Sequence, residues 1–164
     1  MTILRNIGQL ATCPANTAQQ DAGLINDAAL VFDQNRIVWA GREIHLPAAY
    51  SGHELINCGQ RLVIPGMIDC HTHLCFGGWR GDEFEMRLKG RSYQEIAAAG
   101  GGIRSTVAAT RAIPAEQLME KALYSLRGML DLGVTTVECK SGYGLELPTE
   151  LKQLEIYRQL SGLQ

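Results

Sequence analysis

Leu62-Val63-Ile64-Pro65-Gly66-Met67-Ile68-Asp69-Cys70-His71-Thr72-His73 carries more information than any other stretch of the 164-residue chain. Its branched apolar run reads as a buried strand, interrupted by a Pro-Gly pair and running straight into two histidines one residue apart. Along extended backbone alternate side chains share a face. Asp69, His71 and His73 therefore point one way, and Cys70, Thr72 and Leu74 the other. Two imidazoles on one face at the end of a buried strand can hold one metal ion, and a sheet covered on both faces is the usual setting for such a strand. A bare His-x-His also suits one hydrogen-bonded core histidine beside a solvated one. The strand before it and the aspartate on its face favour metal.

The remainder of the chain sets bounds on that reading. A length of 164 residues with 46% apolar and 20% charged residues is ordinary for a globular protein with a proper core. The net charge of -2 comes from interspersed signs, so no basic stripe offers a nucleic-acid surface. Residues 1–20 contain no basic start followed by an apolar run, and no segment has the length needed to span a bilayer. Five scattered cysteines without a CxxC pair fit free thiols in a reducing cytosol, so a cytoplasmic protein with no membrane association is expected.

Residues 1–61 read as a small β-sandwich-like domain. Strands are expected over Ile3–Leu10, Ala28–Phe32, Arg36–Ala40 and Leu55–Cys58. A polar loop runs from Cys13 to about residue 24, and Asp33-Gln34-Asn35 forms a hairpin turn. His45 and His53 lie in its loops without partners at ligand spacing and read as surface residues. From residue 62 the pattern becomes strand, loop, helices, strand, loop, helix. Cys75-Phe76-Gly77-Gly78-Trp79-Arg80-Gly81 leaves the first strand as a glycine-rich loop. The planar fork of Arg80 matches a substrate carboxylate, and a surface pair with Asp82 or Glu83 is its simpler use. Glu83 to Leu88 is a short amphipathic helix. Ser92-Tyr93-Gln94-Glu95 has the spacing of a capping box. Gly100-Gly101-Gly102 reads as a helix end and tight turn before a helix from Ile103 to about Arg111. Anion binding by its N–H groups is the weaker alternative, since the run lacks a P-loop ending.

Pro114 to Leu132 is the clearest helix, closed by Gly133. Val134 to Cys139 is a second buried strand, followed by the loop Lys140-Ser141-Gly142-Tyr143-Gly144-Leu145-Glu146. A last helix begins near Thr149 and runs to the end through Leu151, Leu154, Tyr157 and Leu160. Alternating β and α elements imply parallel strands with function in the loops at their C-terminal ends. Tyr143, between two glycines in such a loop, would then face the histidine pair from the neighbouring strand.

These residues carry a resemblance. Pro65-Gly66-Met67-Ile68-Asp69-Cys70-His71-Thr72-His73 resembles the first barrel strand of the amidohydrolase superfamily. Phe76 to Arg80, Glu83 to Arg87, Ile96 to Ile103 and Val137 to Gly144 resemble the imidazolonepropionase family within it. The likeness implies a fold in which residues 62–164 supply the first two β/α units of a metal-dependent (β/α)8 (TIM) barrel, truncated here. It implies one Zn2+ or Fe3+ ion held in part by His71 and His73, with Arg80 and Tyr143 contacting the substrate. Tyr93 is a further candidate contact, and Cys70, Cys139 and Lys140 are given no catalytic role. The implied substrate is a small molecule, 4-imidazolone-5-propanoate. Attack by water on its ring carbonyl opens the cyclic C–N bond and yields N-formimidoyl-L-glutamate, the third step of histidine degradation.

A complete barrel of this kind needs about 250 residues, and about 100 follow the β unit here. A catalytic zinc normally has three protein ligands and a water, so the remaining ligands and the catalytic base are expected outside this sequence. The chain alone is therefore expected to be inactive and to present strand edges that favour association, a homodimer being one assembly open to it. Two alternatives stand beside this one. One is another cyclic-amide hydrolase or deaminase of the superfamily; the other is a non-catalytic metal-binding module.

Overall fold

A computed structural model describes residues 1–15 and 21–162, so residues 16–20 of the first polar loop lie outside the described residues. The chain divides into two compact units, the first ending at Pro65 and the second starting at Gly66.

The first unit contains β1 (Thr2–Ala11), β2 (Leu24–Asp33), β3 (Arg36–Arg42), β4 (Glu54–Asn57) and β5 (Leu62–Val63). β2 and β3 form an antiparallel hairpin closed by the pair Asp33–Arg36, with Gln34 in the left-handed region at φ 52°. A reversal this tight needs positive φ, which a polar residue tolerates better than a branched one. Where a sandwich-like unit was expected, the strands form one sheet in the order β3-β2-β1-β4, with β5 also on β1. The length of β1 is the reason. Its Thr2–Arg5 half pairs in parallel with β4 and its Gln9–Leu10 end with β5, so two short strands extend one sheet instead of starting a second layer. Ile3, Ile7, Leu10, Ala28 and Val31 fill the core of this unit, and His45 and His53 are exposed.

The stretch 62–73 is therefore not one strand. Pro65 has no N–H to give to a ladder, and the run splits there: Leu62–Val63 joins the first sheet, while β6 (Met67–Thr72) begins another. The second unit continues with α1 (Gly81–Leu88), α2 (Tyr93–Ala98), α3 (Ile103–Ala112), α4 (Ala115–Asp131), β7 (Val134–Cys139) and α5 (Leu147–Leu160). β6 and β7 pair in parallel from Met67–Val134 to Thr72–Cys139, so both chain exits lie at one end of the pair. The buried strand expected from the apolar run is exposed here: Ile68 keeps 71% of its surface. Among the described residues β6 has one strand neighbour, which leaves its other edge and much of its side-chain surface uncovered.

Local signals set the helix ends. Ser92 Oγ accepts from the Glu95 backbone N–H at 3.2 Å, and the Glu95 carboxylate accepts from the Ser92 N–H at 2.8 Å, the reciprocal capping box. Pro114 caps α4, and Gly133 at φ 86° ends it. Leu118 and Ala122 of α4 meet Leu74 and Cys75 from the loop after β6 and Ile156 of α5, with Val137 and Cys139 of β7 against them. α5 turns inward a face that its leucines do not mark. Thr149, Gln153 and Ile156 are buried, whereas Leu151 and Leu154 are exposed.

Leu118 is fully enclosed at 0% exposure. Leu118→Ala is expected to cost about 2–5 kcal/mol through lost burial and the cavity left behind. Urea denaturation of the two proteins measures it, and an unshifted midpoint would contradict this placement of α4.

Candidate functional site

The parallel register of β6 and β7 brings their exit loops, residues 73–80 and 140–146, to the same end of the strand pair. Two bonds at the strand ends extend the ladder towards these loops: the Lys140 N–H donates to the Thr72 carbonyl at 2.8 Å, and Thr72 Oγ1 donates to the Glu138 carbonyl at 2.9 Å.

His71 and His73 stand at the end of β6 with ring centroids 5.5 Å apart, as two residues on one face of a strand should. Asp69, on the same face, accepts from the His71 backbone N–H at 3.1 Å. The Tyr143 ring lies edge-on to His73 at 5.3 Å, so the loop after β7 does bring it to the histidine pair. Phe76 lies 6.4 Å from Tyr143, and Trp79 lies 5.5 Å from Phe76. A row of five rings thus runs from His71 to the residue preceding Arg80.

Backbone geometry supports this row at two points. Tyr143 has φ 64°, a conformation that a bulky side chain adopts only when its surroundings hold it there. Gly142 lies against the imidazole of His73: a Cβ built on it would be 2.6 Å from Nδ1 and 2.7 Å from Cε1. That nitrogen is buried with no hydrogen-bond partner among the described residues. Enclosure of Nδ1 leaves Nε2 as the atom open to an outside ligand.

Two neutral imidazoles suit zinc or iron better than calcium or magnesium, which take oxygen donors. Among the described residues no three His, Cys, Asp or Glu side chains group together as a metal cluster. The pair therefore fits part of a metal's coordination and falls short of a closed site.

Arg80 and Glu83 form an ion pair at 2.9 Å through Nε, the simpler of the two uses its sequence position suggested. The other oxygen of Glu83 accepts from the Gly102 N–H at 2.7 Å. The glycine run thus does present an N–H to an anion, and the anion is this chain's own carboxylate. That backbone bond, with Arg80 beside it, holds the Glu83 carboxyl below the usual carboxylate value. Tyr93 is 60% exposed. Lys140 pairs with Glu138, and the five cysteines are unbridged.

Three further side chains organise these loops: Lys121, Gln153 and Tyr157, of which the sequence marks only Tyr157, as a position along the last helix. Lys121 of α4 donates to the Phe76 carbonyl at 2.9 Å and the Gly78 carbonyl at 2.5 Å, with its ammonium over the rings of Phe76 and Trp79. Burial pushes it down to about 8. Gln153 and Tyr157 of α5 each bond both loops. Gln153 Nε2 donates to the Cys75 and Gly142 carbonyls at 2.5 and 2.6 Å, and its Oε1 accepts from the Gly142 N–H at 3.0 Å. Tyr157 Oη accepts from the Cys75 N–H at 3.0 Å and donates to the Lys140 carbonyl at 3.1 Å. A glutamine amid charged residues looks like solvent-facing helix. Its one visible signal is the helical spacing from Thr149 and to Ile156, both buried.

Comparison with known proteins gives the site a context. The chain is 53% identical over 141 residues to an imidazolonepropionase of Paracoccus denitrificans, covering 86% of this chain and 35% of that protein. It spans about a third of the length of the curated relatives it matches. No protein-family model matches it. The structure of an ochratoxinase from A. niger is similar at a TM-score of 0.58 and 18% identity, over 98% of this chain and 28% of that one. Atrazine chlorohydrolase TrzN from Arthrobacter aurescens TC1, solved with zinc, is similar at 0.55 and 18%, over 98% and 34%. Among the described residues no helix is long and apolar enough to cross a membrane.

Two measurements follow. Gly142→Ala would drive a methyl into the His73 ring and is expected to destabilise the chain by about 1–3 kcal/mol, as overpacking does. It should also displace the His73 imidazole resonances, and a variant with wild-type stability and unmoved resonances would contradict the close approach. Glu83 has a depressed native pKa, so its stabilisation is complete above the ordinary value of 4.5 and is lost as pH falls through the native value. Wild type and Glu83→Gln should differ most in urea midpoint near neutral pH and converge in acid; a gap that widens on acidification would refute the assignment.

Proposed function

Taking the chain as a relative of the imidazolonepropionases over most of its length, we propose that it forms the part of such a hydrolase that carries two metal ligands and two substrate contacts. The fold assigned to residues 66–162 is the opening of a (β/α)8 barrel, with β6 and β7 as its first two strands. The reaction assigned to the whole enzyme is opening of the cyclic amide of 4-imidazolone-5-propanoate to N-formimidoyl-L-glutamate. The observation that carries this reading is the placing of His71, His73 and Tyr143 together at the C-terminal end of two parallel strands, where such barrels build their sites.

His71 and His73 would hold the ion, and their ligand chemistry fits zinc or iron. A bound ion supplies Lewis acidity, polarising a ring carbonyl and making water more acidic. This chain's own part is binding and orientation. Arg80 uses Nε on Glu83, which leaves its terminal N–H groups for a carboxylate such as the propanoate. Glu83 in turn is anchored to the Gly102 backbone, so the guanidinium is held from behind. Tyr143 edges His73 and offers a flat, partly buried wall with a polar tip beside the reacting ring. The base that takes the attacking water's proton and passes it to the leaving nitrogen lies outside the residues named here.

With two imidazoles where three protein ligands are needed, the zinc-loaded 164-residue chain should not hydrolyse 4-imidazolone-5-propanoate. The test pairs that assay with calorimetric zinc titration of the wild-type chain and of His71→Ala and His73→Ala. The expected result is weak zinc binding that either substitution abolishes, with no turnover. Binding that survives both substitutions would overturn the ligand assignment, and turnover by the chain alone would overturn the division of the site.

A further inference from the structure

We propose that Gln153 and Tyr157 are positioning residues for the metal site: one turn apart on α5, they lock the loop after β6 to the loop after β7 and so fix the attitude of the His73 imidazole. The inference rests on the reading of His71 and His73 as metal ligands.

The two side chains converge on the same backbone. Cys75, two residues beyond His73, gives its N–H to Tyr157 Oη and receives Gln153 Nε2 on its carbonyl. From the other loop, Lys140 gives its carbonyl to Tyr157, while Gly142 uses both its N–H and its carbonyl on Gln153. Gln153 is 1% exposed, so water cannot replace these bonds cheaply. The network also fixes which way the amide faces. The reversed amide would point its oxygen at two carbonyls and its N–H groups at the Gly142 N–H.

The link to the metal site runs through Gly142. Its Cα lies so close to the His73 ring that a Cβ there would come within 2.6 Å of Nδ1. Metal-bound histidines ordinarily donate their second nitrogen to a fixed acceptor, which sets the ring's orientation. Nδ1 of His73 has no such partner among the described residues. Shape does that work instead: Gly142 on one side and Tyr143 edge-on hold the ring, and Gln153 holds Gly142. A helix side chain thereby acts on a ligand it does not touch.

The test uses the 164-residue chain, zinc alone as probe, and two readouts. These are zinc affinity by competition with a chromophoric chelator, and hydrogen exchange of the Gly142 and Cys75 amides without metal. Gln153→Met keeps length and volume but removes the three bonds, whereas Gln153→Glu faces two carbonyls with a carboxylate. Tyr157→Phe keeps the ring and removes the hydroxyl. The expected result is zinc affinity lowered about 10- to 100-fold in Gln153→Met, further in Gln153→Glu and less in Tyr157→Phe, with faster exchange at Gly142. Wild-type zinc affinity in Gln153→Met and Tyr157→Phe, with binding still abolished by His73→Ala, would overturn the positioning role and leave the ligand reading intact. Wild-type binding that persists in His73→Ala would instead remove the reading beneath it. Should the Gln153 variants lose cooperative unfolding, Tyr157→Phe alone decides: reduced affinity supports the proposal and unchanged affinity overturns it.

Discussion

Parallel pairing of β6 with β7 is the constraint on which everything chemical here depends. Parallel strands leave at the same end, so side chains separated by some seventy residues arrive in one place: His71 and His73 from one exit, Tyr143 from the other. An antiparallel pair would put the two loops at opposite ends. The four helices between the strands provide the crossover that makes the parallel arrangement possible, and α4 and α5 then cover the face carrying Val137 and Cys139.

Around that pairing, side chains from helices hold the backbone of both loops and of the turn before α3. Lys121 takes two carbonyls of the 76–79 segment, Gln153 and Tyr157 tie Cys75 to residues 140–142, and Glu83 caps the N-terminus of α3 while gripping Arg80. Irregular backbone leaves N–H and carbonyl groups without regular partners, and each must find one or face a desolvation cost. Here the same bonds that satisfy the loops also set where the rings and the guanidinium stand. Glycine is needed at residue 142 for the complementary reason, since any side chain there would occupy the place of the His73 imidazole.

Much of this was legible beforehand. The periodicity of Pro114 to Leu132, the capping box at Ser92 and the β run at Val134–Cys139 are local signals, and local signals survive in the structure with their boundaries nearly unchanged. The same-face rule placed the two histidines together, and the β/α order placed Tyr143 beside them. Three features were not legible. Pro65 cut the run 62–73 between two units because hydrogen-bond supply, not hydrophobicity, limits a ladder. The first unit forms one sheet because the length of β1, which pairs with both β4 and β5, is a tertiary matter. Gln153 went unnoticed because a polar residue on a helix looks solvent-facing until the neighbouring loops are known. Its leucine neighbours do not mark the buried face either, with Leu151 and Leu154 outward and Gln153 inward.

The central claim is that the imidazoles of His71 and His73 act together on one ion. The zinc K-edge X-ray absorption spectrum of the zinc-loaded chain tests it most directly. The account predicts a first shell of nitrogen and oxygen with the multiple-scattering signature of two imidazoles, reduced to one in His71→Ala. A shell containing sulfur, which would place the ion on Cys70, Cys75 or Cys139, or one without imidazole scattering, would contradict it.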